Sequence, residues 1–540
     1  QRASRDCRQS RRRSSMGSAA RGDSARGPPQ LPHLTGARAV AALWVVCHHT
    51  APRQPPSALD PFVTRVDVAV EYFTILSGFL TQWSHGPGVD PGDSCGSLLR
   101  FYVRRLGRVL ITAQISTAIS LFFKLAGGLR PPLWEALGCF MCVKGLMNPV
   151  PSCPNMPTWY IDALLPSWLL YPWLIRPLIA ACFAQPARRL PWLMFAFWLV
   201  AIGPALALIA LCGRWLRWDE VVWVWFWPPA QVADFAVGAA LAAVLQLRGA
   251  GGAGAEGAAD IGGAGSAGVA GVTGSLGSGG AVSGTLGGDL SDIGGTFSGA
   301  ASGAISGPNA ASAASFEVRE THRRGAMADA AGAALVAACV AVPLPRIPHD
   351  WGGPPFWRPS HYVAWEALTA RLAAPVLVAF IYLTAEDATR KSSAAATLLA
   401  HPALVALGNC TLEVYLFQGP MRELLAWFVP PLAPPLTRYW RGLPWTLEVF
   451  VSYVVLLWVV SLAFADCCAL PAQKRLHAAV ANWDGKPYRW IAQRVRNCTC
   501  CRARYEILEE TGHAVAPDDA SDASPIGRRG GLVRHGRGGM

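Results

Sequence analysis

Leu34-Thr-Gly-Ala-Arg38-Ala-Val-Ala-Ala-Leu-Trp-Val-Val-Cys-His48-His49-Thr50 is the stretch around which the rest of the chain is read. It is apolar along its length, yet it opens near an arginine and closes on two histidines. On a helix, Arg38 and His49 are close to three turns apart, so they share one face about 16 Å from each other. Ionisable residues inside a membrane span are costly and mark functional sites by default. Neutral imidazole is the side chain best suited to take a proton near neutral pH, which singles out His49. The plainer reading is an interfacial pair of histidines and a flanking arginine, and the stretch alone leaves both readings open.

Working outward, apolar runs near twenty residues recur along all 540 residues, the length that crosses a bilayer. The chain is 52% hydrophobic and only 15% charged, with 22 tryptophans. That balance excludes an assembly of soluble domains. It predicts an all-α, polytopic membrane bundle of about ten transmembrane helices: 34–50, 67–84, 107–125, 159–183, 191–212, 221–247, 326–343, 361–385, 396–418 and 445–468. The formal charge of +13 gathers in the tails, at Arg11, Arg12 and Arg13 and at Arg494, Arg496, Arg502 and Arg504. Beside spans, such clusters face anionic cytoplasmic lipid, and no nucleic-acid motif accompanies them. The expected partner is therefore the lipid bilayer, not nucleic acid. Loop charges barely separate the two sides; the basic tails tip both termini to the cytoplasm. The expected location is the endomembrane system or the plasma membrane.

Residues 1–33 read as a disordered basic tail, 34–471 as the membrane domain and 472–540 as a basic cytoplasmic tail. Residues 249–315 are almost wholly Gly, Ala, Ser and similar small residues, which cannot bury a core, and read as a flexible insert. No short apolar core with a small-residue cleavage site precedes residue 34, so no cleaved signal peptide is expected, and Met16 is a candidate start.

Further motifs sit on the spans. Val70-Glu71-Tyr-Phe-Thr-Ile-Leu-Ser77-Gly78-Phe-Leu80 carries an acid followed by small residues that allow close helix approach. Ser77 lacks the strand–turn–helix setting of a nucleophile elbow, so packing is its expected role. Arg104, Arg105 and Arg108 lie within about one turn and serve either as a positive-inside anchor or as a phosphate site. Cys139-x-x-Cys142 has only Cys153 nearby, which favours one disulfide among the three over a metal centre; no metal site is expected. Cys498, Cys500 and Cys501 suit lipidation of an interfacial segment. Trp215, Trp218, Trp351, Trp357 and Trp440 read as an interfacial belt or as sugar-gripping faces.

Together these blocks resemble the acyltransferase 3 family, integral-membrane enzymes that move acyl groups, often acetyl, onto sugars and other hydroxyl acceptors. Leu34–Arg38 with His49 matches the family's first-span motif. Glu71 with Phe73–Leu80 matches the second, and Arg104, Arg105 and Arg108 match the basic cluster. Trp159-Tyr-Ile-Asp162…Pro172 matches the family's Trp–Pro block, with Leu164 where a glutamate is usual. Leu407-Gly408…Tyr415-Leu-Phe-Gln418-Gly-Pro420 matches a late block, with Gln418 in place of histidine. Ile111 stands where a proline is common.

The resemblance implies an acyl-CoA donor, acetyl-CoA above all, with no tightly bound cofactor, and a hydroxyl acceptor, a glycan first. It implies Arg104, Arg105 and Arg108 as partners of the CoA phosphates, with Arg38 beside the donor or below the catalytic pocket. His49 would be the general base, Glu71 would orient it, and Asp162 and Trp159 would bind the acceptor. A structural ion pair is the alternative for each acid. A multi-span transporter and a scaffold whose site has decayed are the rival functions. No internal repeat supports the transporter.

Overall fold

The computed structural model describes residues 31–50, 63, 65–85, 95–147, 153–183, 185–211, 215–217, 228–261, 308–341, 357–359, 367–387, 392–428 and 446–481. The helices in order are α1 (Pro32–Thr50), α2 (Val66–Trp83), α3 (Cys95–Ala126), α4 (Leu133–Phe140), α5 (Lys144–Met147), α6 (Trp159–Leu170), α7 (Arg176–Ala181), α8 (Pro186–Leu211), α9 (Pro228–Ile261) and α10 (Pro308–Ala341). They continue with α11 (Ala374–Asp387), α12 (Ala394–Leu399), α13 (Pro402–Asn409), α14 (Thr411–Phe428), α15 (Leu447–Phe464) and α16 (Leu470–Ala481). π-helical turns at Tyr171–Ile175 and Ala465–Ala469 join α6 to α7 and α15 to α16. Several helices open on proline, whose fixed φ suits the first turn and whose missing N–H costs nothing there.

The fold is all-α, as the composition predicts, apart from two three-residue strands. β1 (Trp215–Arg217) pairs antiparallel with β2 (Trp357–Pro359), placing Trp215 opposite Pro359 and Arg217 opposite Trp357.

Six helical segments among the described residues are long and apolar enough to cross a bilayer: Ser97–Ala126, Met156–Ala181, Pro186–Ala207, Pro228–Arg248, Ala367–Glu386 and Leu447–Val480. The protein is a multi-pass membrane protein. The count of about ten is not confirmed. The segments 34–50, 67–84, 326–343 and 396–418 are not among these six; polar residues interrupt the first two, and residues 342–343 lie outside the described residues. For the first two, the bundle itself is the solvent. α1 and α2 pack against each other, α1 against α13, and α2 against α9. Their polar groups therefore face protein instead of lipid.

The expected span 396–418 is not one helix. It breaks at His401–Pro402 and at Cys410 into α12, α13 and α14, because proline removes a backbone donor and disfavours helical geometry in the residue before it. Helix enters the insert read as 249–315 from both ends. α9 runs to Ile261 and α10 starts at Pro308. Alanine has the highest helix propensity, and extending an existing helix is far easier than nucleating one. The boundary placed at 471 falls inside α16, which runs to Ala481. Residues 1–30, 262–307 and 482–540 lie outside the described residues. With them go the calls on the arginine-rich tails, Met16, and Cys498, Cys500 and Cys501. Trp218, Trp351 and Trp440 lie outside as well.

Close helix approach is written in glycines. A Cβ on Gly78 would stand 1.8 Å from the Phe235 carbonyl oxygen, and one on Gly238 would stand 1.8 Å from that of Ile75, so α2 and α9 touch backbone to backbone. α1 meets α12 and α13 in the same way through Gly36 and Gly408. Gly78→Val is expected to cost roughly 3 kcal/mol, the upper end of overpacking, because backbone cannot rotate away. A lower thermal midpoint in detergent, read by fluorescence-detected gel filtration, checks it.

Candidate functional site

A cavity of about 180 Å³ opens between α1, α2, α3, α6 and α14. Each of the five blocks that carry the family resemblance sends a residue to its wall: Arg38 from α1, Ser77 from α2, Arg105 from α3, Leu164 from α6 and Tyr415 from α14. Most of the remaining wall is apolar, including Leu76 and Ile161. Two guanidinium groups thus stand in an otherwise greasy wall. Arg38 donates from Nη2 to Thr411 Oγ1 at 2.9 Å. Arg105 makes only a long contact, 3.5 Å, to Ser84 Oγ.

Arg108 lies differently from the expectation for it. Its Nε and Nη2 each donate at 2.8 Å to the two carboxylate oxygens of Glu413, and Nη2 also reaches the Asn409 carbonyl at 2.8 Å. Glu413 is fully buried. This bidentate pair joins α3 to α14 and neutralises Arg108, so its first role is to hold the wall. Arg104 is exposed, and its carbonyl accepts from Gln473 Nε2. Of the three arginines, Arg105 alone lines the cavity.

Ser77 Oγ accepts from Trp168 Nε1 at 3.1 Å, which locks α2 to α6. This agrees with a packing role. Tyr160 lies on the wall edge-to-face with Tyr415, ring centroids 5.5 Å apart. It stands within electrostatic reach of both Arg38 and Glu71.

Glu71 is not on the cavity wall. It is buried behind it, beside Asp234 of α9 and Arg371, which precedes α11. Asp162 is also off the wall. Its Oδ2 accepts from the Gly145 backbone N–H at 2.9 Å, and Lys144 stands nearby, so it anchors the short helix α5. The neighbouring Trp159 packs edge-on to Tyr160 at 5.8 Å. His49 lies at the far end of α1, half-buried and edge-on to His48, whose Nδ1 is 3.0 Å from the Val63 carbonyl. The structure thus brings Arg38 and Arg105 together and leaves His49, Glu71 and Asp162 in three other places.

The loop cysteines resolve as Cys139–Cys153 in a disulfide, with Cys142 free. Burial, with Asp162 beside it, pushes the Cys142 thiol up to about 12, which makes it a poor nucleophile or metal ligand. Among the described residues, no group of three or more His, Cys, Asp or Glu stands ready to hold a metal.

Sequence reasoning missed Glu413, Asp234 and Arg371. Glu413 and Asp234 are single acids in apolar stretches, the same signal that singled out Arg38. Gln418, where the resemblance expects histidine, is wholly buried, with its Nε2 donating to the Tyr415 carbonyl at 2.9 Å.

A sequence profile described as an acyltransferase domain matches residues 31–282, which carry the first four of these motif blocks. Those residues match the acyltransferase 3 family. Acyltransferase MdmB of Streptomyces mycarofaciens is 27% identical to it over 252 residues, 41% of this chain and 59% of that protein. The chain thus spans about three fifths of the length of the curated relative. No solved structure matches it. The profile match ends before α13 and α14, so the acyltransferase 3 domain as matched supplies Arg38, Ser77, Arg105 and Leu164, while Thr411 and Tyr415 come from beyond it.

Proposed function

We propose that the protein is a membrane-bound O-acyltransferase that moves an acyl group from acyl-CoA to a hydroxyl, with a carbohydrate as the acceptor class. One observation carries this reading: five separated motif blocks converge on one apolar cavity that holds two arginines. An acyl thioester with a polyanionic handle needs such a site. Arg105 holds the phosphate end by charge-assisted hydrogen bonds, with the exposed Arg104 at its approach. Arg38 stands deeper and orients the donor arm. The arm runs beside α1, and the α1 face from Arg38 to His49 measures about 16 Å. At its far end His49 takes the proton of the acceptor hydroxyl as the new ester bond forms. The thioester C–S bond breaks, and the CoA thiolate leaves and takes up the proton. Both termini and the Arg104–Arg105 end face the cytoplasm in this reading, so donor and acceptor enter from opposite ends of the bundle.

The test is transfer of radiolabel from acetyl-CoA to a glycan pool by the full chain in liposomes. Arg105→Ala is expected to raise the KM for the donor about 10- to 100-fold, the worth of one or two hydrogen bonds to a charged group, with kcat little changed. A donor KM that does not move would remove Arg105 from the donor site. Absence of transfer from any acyl-CoA by folded protein would favour the decayed-site reading. The departures at Leu164 and Gln418 support that rival: Leu164 gives the wall a hydrocarbon where a carboxylate is usual.

A further inference from the structure

Behind the cavity wall lies a second charged cluster that the acyl-transfer reading does not use. Glu71, Asp234 and Arg371 are 4%, 1% and 2% exposed. Arg371 Nε is 3.5 Å from Asp234 Oδ2. Yet Glu71 Oε1, both carboxylate oxygens of Asp234 and Arg371 Nη1 have no hydrogen-bond partner. A small cavity of about 10 Å³ lies against Asp67, Glu71, Gln231 and Arg371. That is close to the space one water needs, roughly 10–15 Å³, and the site offers the two to four polar partners a buried water requires.

The charges do not balance as drawn. From α2 come Asp67 and Glu71, and from α9 come Asp234 and the neutral amide of Gln231. Arg371 comes from the segment before α11. Among the described residues, α6 contributes the phenol of Tyr160. Asp67 is already matched, since Arg65 Nε and Nη2 donate to its two oxygens at 3.2 and 2.9 Å. Two carboxyl groups then face one guanidinium. A surplus negative charge inside a bundle is expensive, and adjacent carboxylates repel. One proton solves both problems. It makes the set neutral and turns one orphaned acceptor into a donor.

We propose that Glu71, Asp234 and Arg371 form a one-proton binding site, occupied at neutral pH, with a single water in the small cavity. The site sits where it bears on the larger cavity, because Val70 lines both and Tyr160, on the larger one's wall, stands within electrostatic range of Glu71. The bound proton keeps a carboxylate charge away from the region that Arg38 holds positive.

The experiment is infrared difference spectroscopy on the full chain in lipid nanodiscs at neutral pH, comparing wild type with Glu71→Gln and Asp234→Asn. Either substitution leaves one carboxylate against one guanidinium, a neutral set with no proton to hold. One protonated-carboxyl C=O band is therefore expected in wild type, shifted in deuterium oxide and lost in each variant. If Asp234→Asn does not fold, Glu71→Gln still decides, because its amide matches a protonated carboxyl in shape. Loss of an ionised carboxylate band with no loss of a C=O band overturns the proposal. A carboxylate band that shifts on replacing choline with sodium, with no C=O band, overturns it too and assigns the cavity to a metal cation.

Discussion

His49→Ala lowers acyl transfer by roughly two to four orders of magnitude, the worth of a positioned general base, while His48→Ala retains it. The two histidines are neighbours with ring centroids 5.1 Å apart, so a general disturbance of this end of α1 would harm both variants alike. Their environments differ. His48 Nδ1 lies 3.0 Å from the Val63 carbonyl, and it is His49 that holds the motif position three turns from Arg38. The position of His49 makes the experiment sharp. It is three turns from Arg38 and off the wall of the arginine-lined cavity, so a base at this point requires the acyl group to travel along α1. The assay is label transfer to glycan in liposomes, with thermal midpoints confirming that both variants fold. Transfer that survives His49→Ala would move the chemistry into the cavity itself, where the hydroxyls of Ser77, Tyr160, Thr411 and Tyr415 are the remaining groups. Equal loss in both histidine variants would assign the pair to structure.

Arg108→Ala is expected to cost roughly 3 kcal/mol of stability, because it leaves the carboxylate of Glu413 buried without its partner. The estimate takes the low end of the usual range since Arg108 keeps 23% of its side chain exposed while Glu413 keeps none. A double-mutant cycle isolates the pair. Arg108→Ala with Glu413→Gln should recover most of the loss, since the amide can be buried without a charge. This separates two roles that the sequence leaves open. A phosphate-binding arginine shows its loss in the donor KM and leaves the thermal midpoint alone, and the double variant does not rescue it. A wall-fastening arginine does the reverse. Arg105→Ala supplies the contrast, because its guanidinium is committed to nothing closer than 3.5 Å.

The gap between these arginines shows what a sequence conveys. Arg104, Arg105 and Arg108 look equivalent on paper, three cations within a turn. On α3 they point to solvent, cavity and Glu413 respectively, and Glu413 lies 305 residues away in the chain. Glu71 was legible as an acid in an apolar span, but the choice of partner was not. Asp234 and Arg371 are brought to it by the crossing of α2 and α9 and by the chain before α11. Asp162 likewise sits in the right motif, yet its carboxylate turns back to the Gly145 amide.

Local chemistry settled a definable share. Apolar runs dictate helices because a bilayer leaves backbone groups no other partner. Ser77 and Gly78 mark in the sequence one place where helices can touch, since small residues let backbones approach closely. Spacing alone set Arg38 and His49 on one face of α1. The tertiary structure alone decided which charges meet. Ion pairs, the cavity and the carboxyl cluster are made between helices far apart in sequence, and a buried charge is stabilised or left wanting by its neighbours in space.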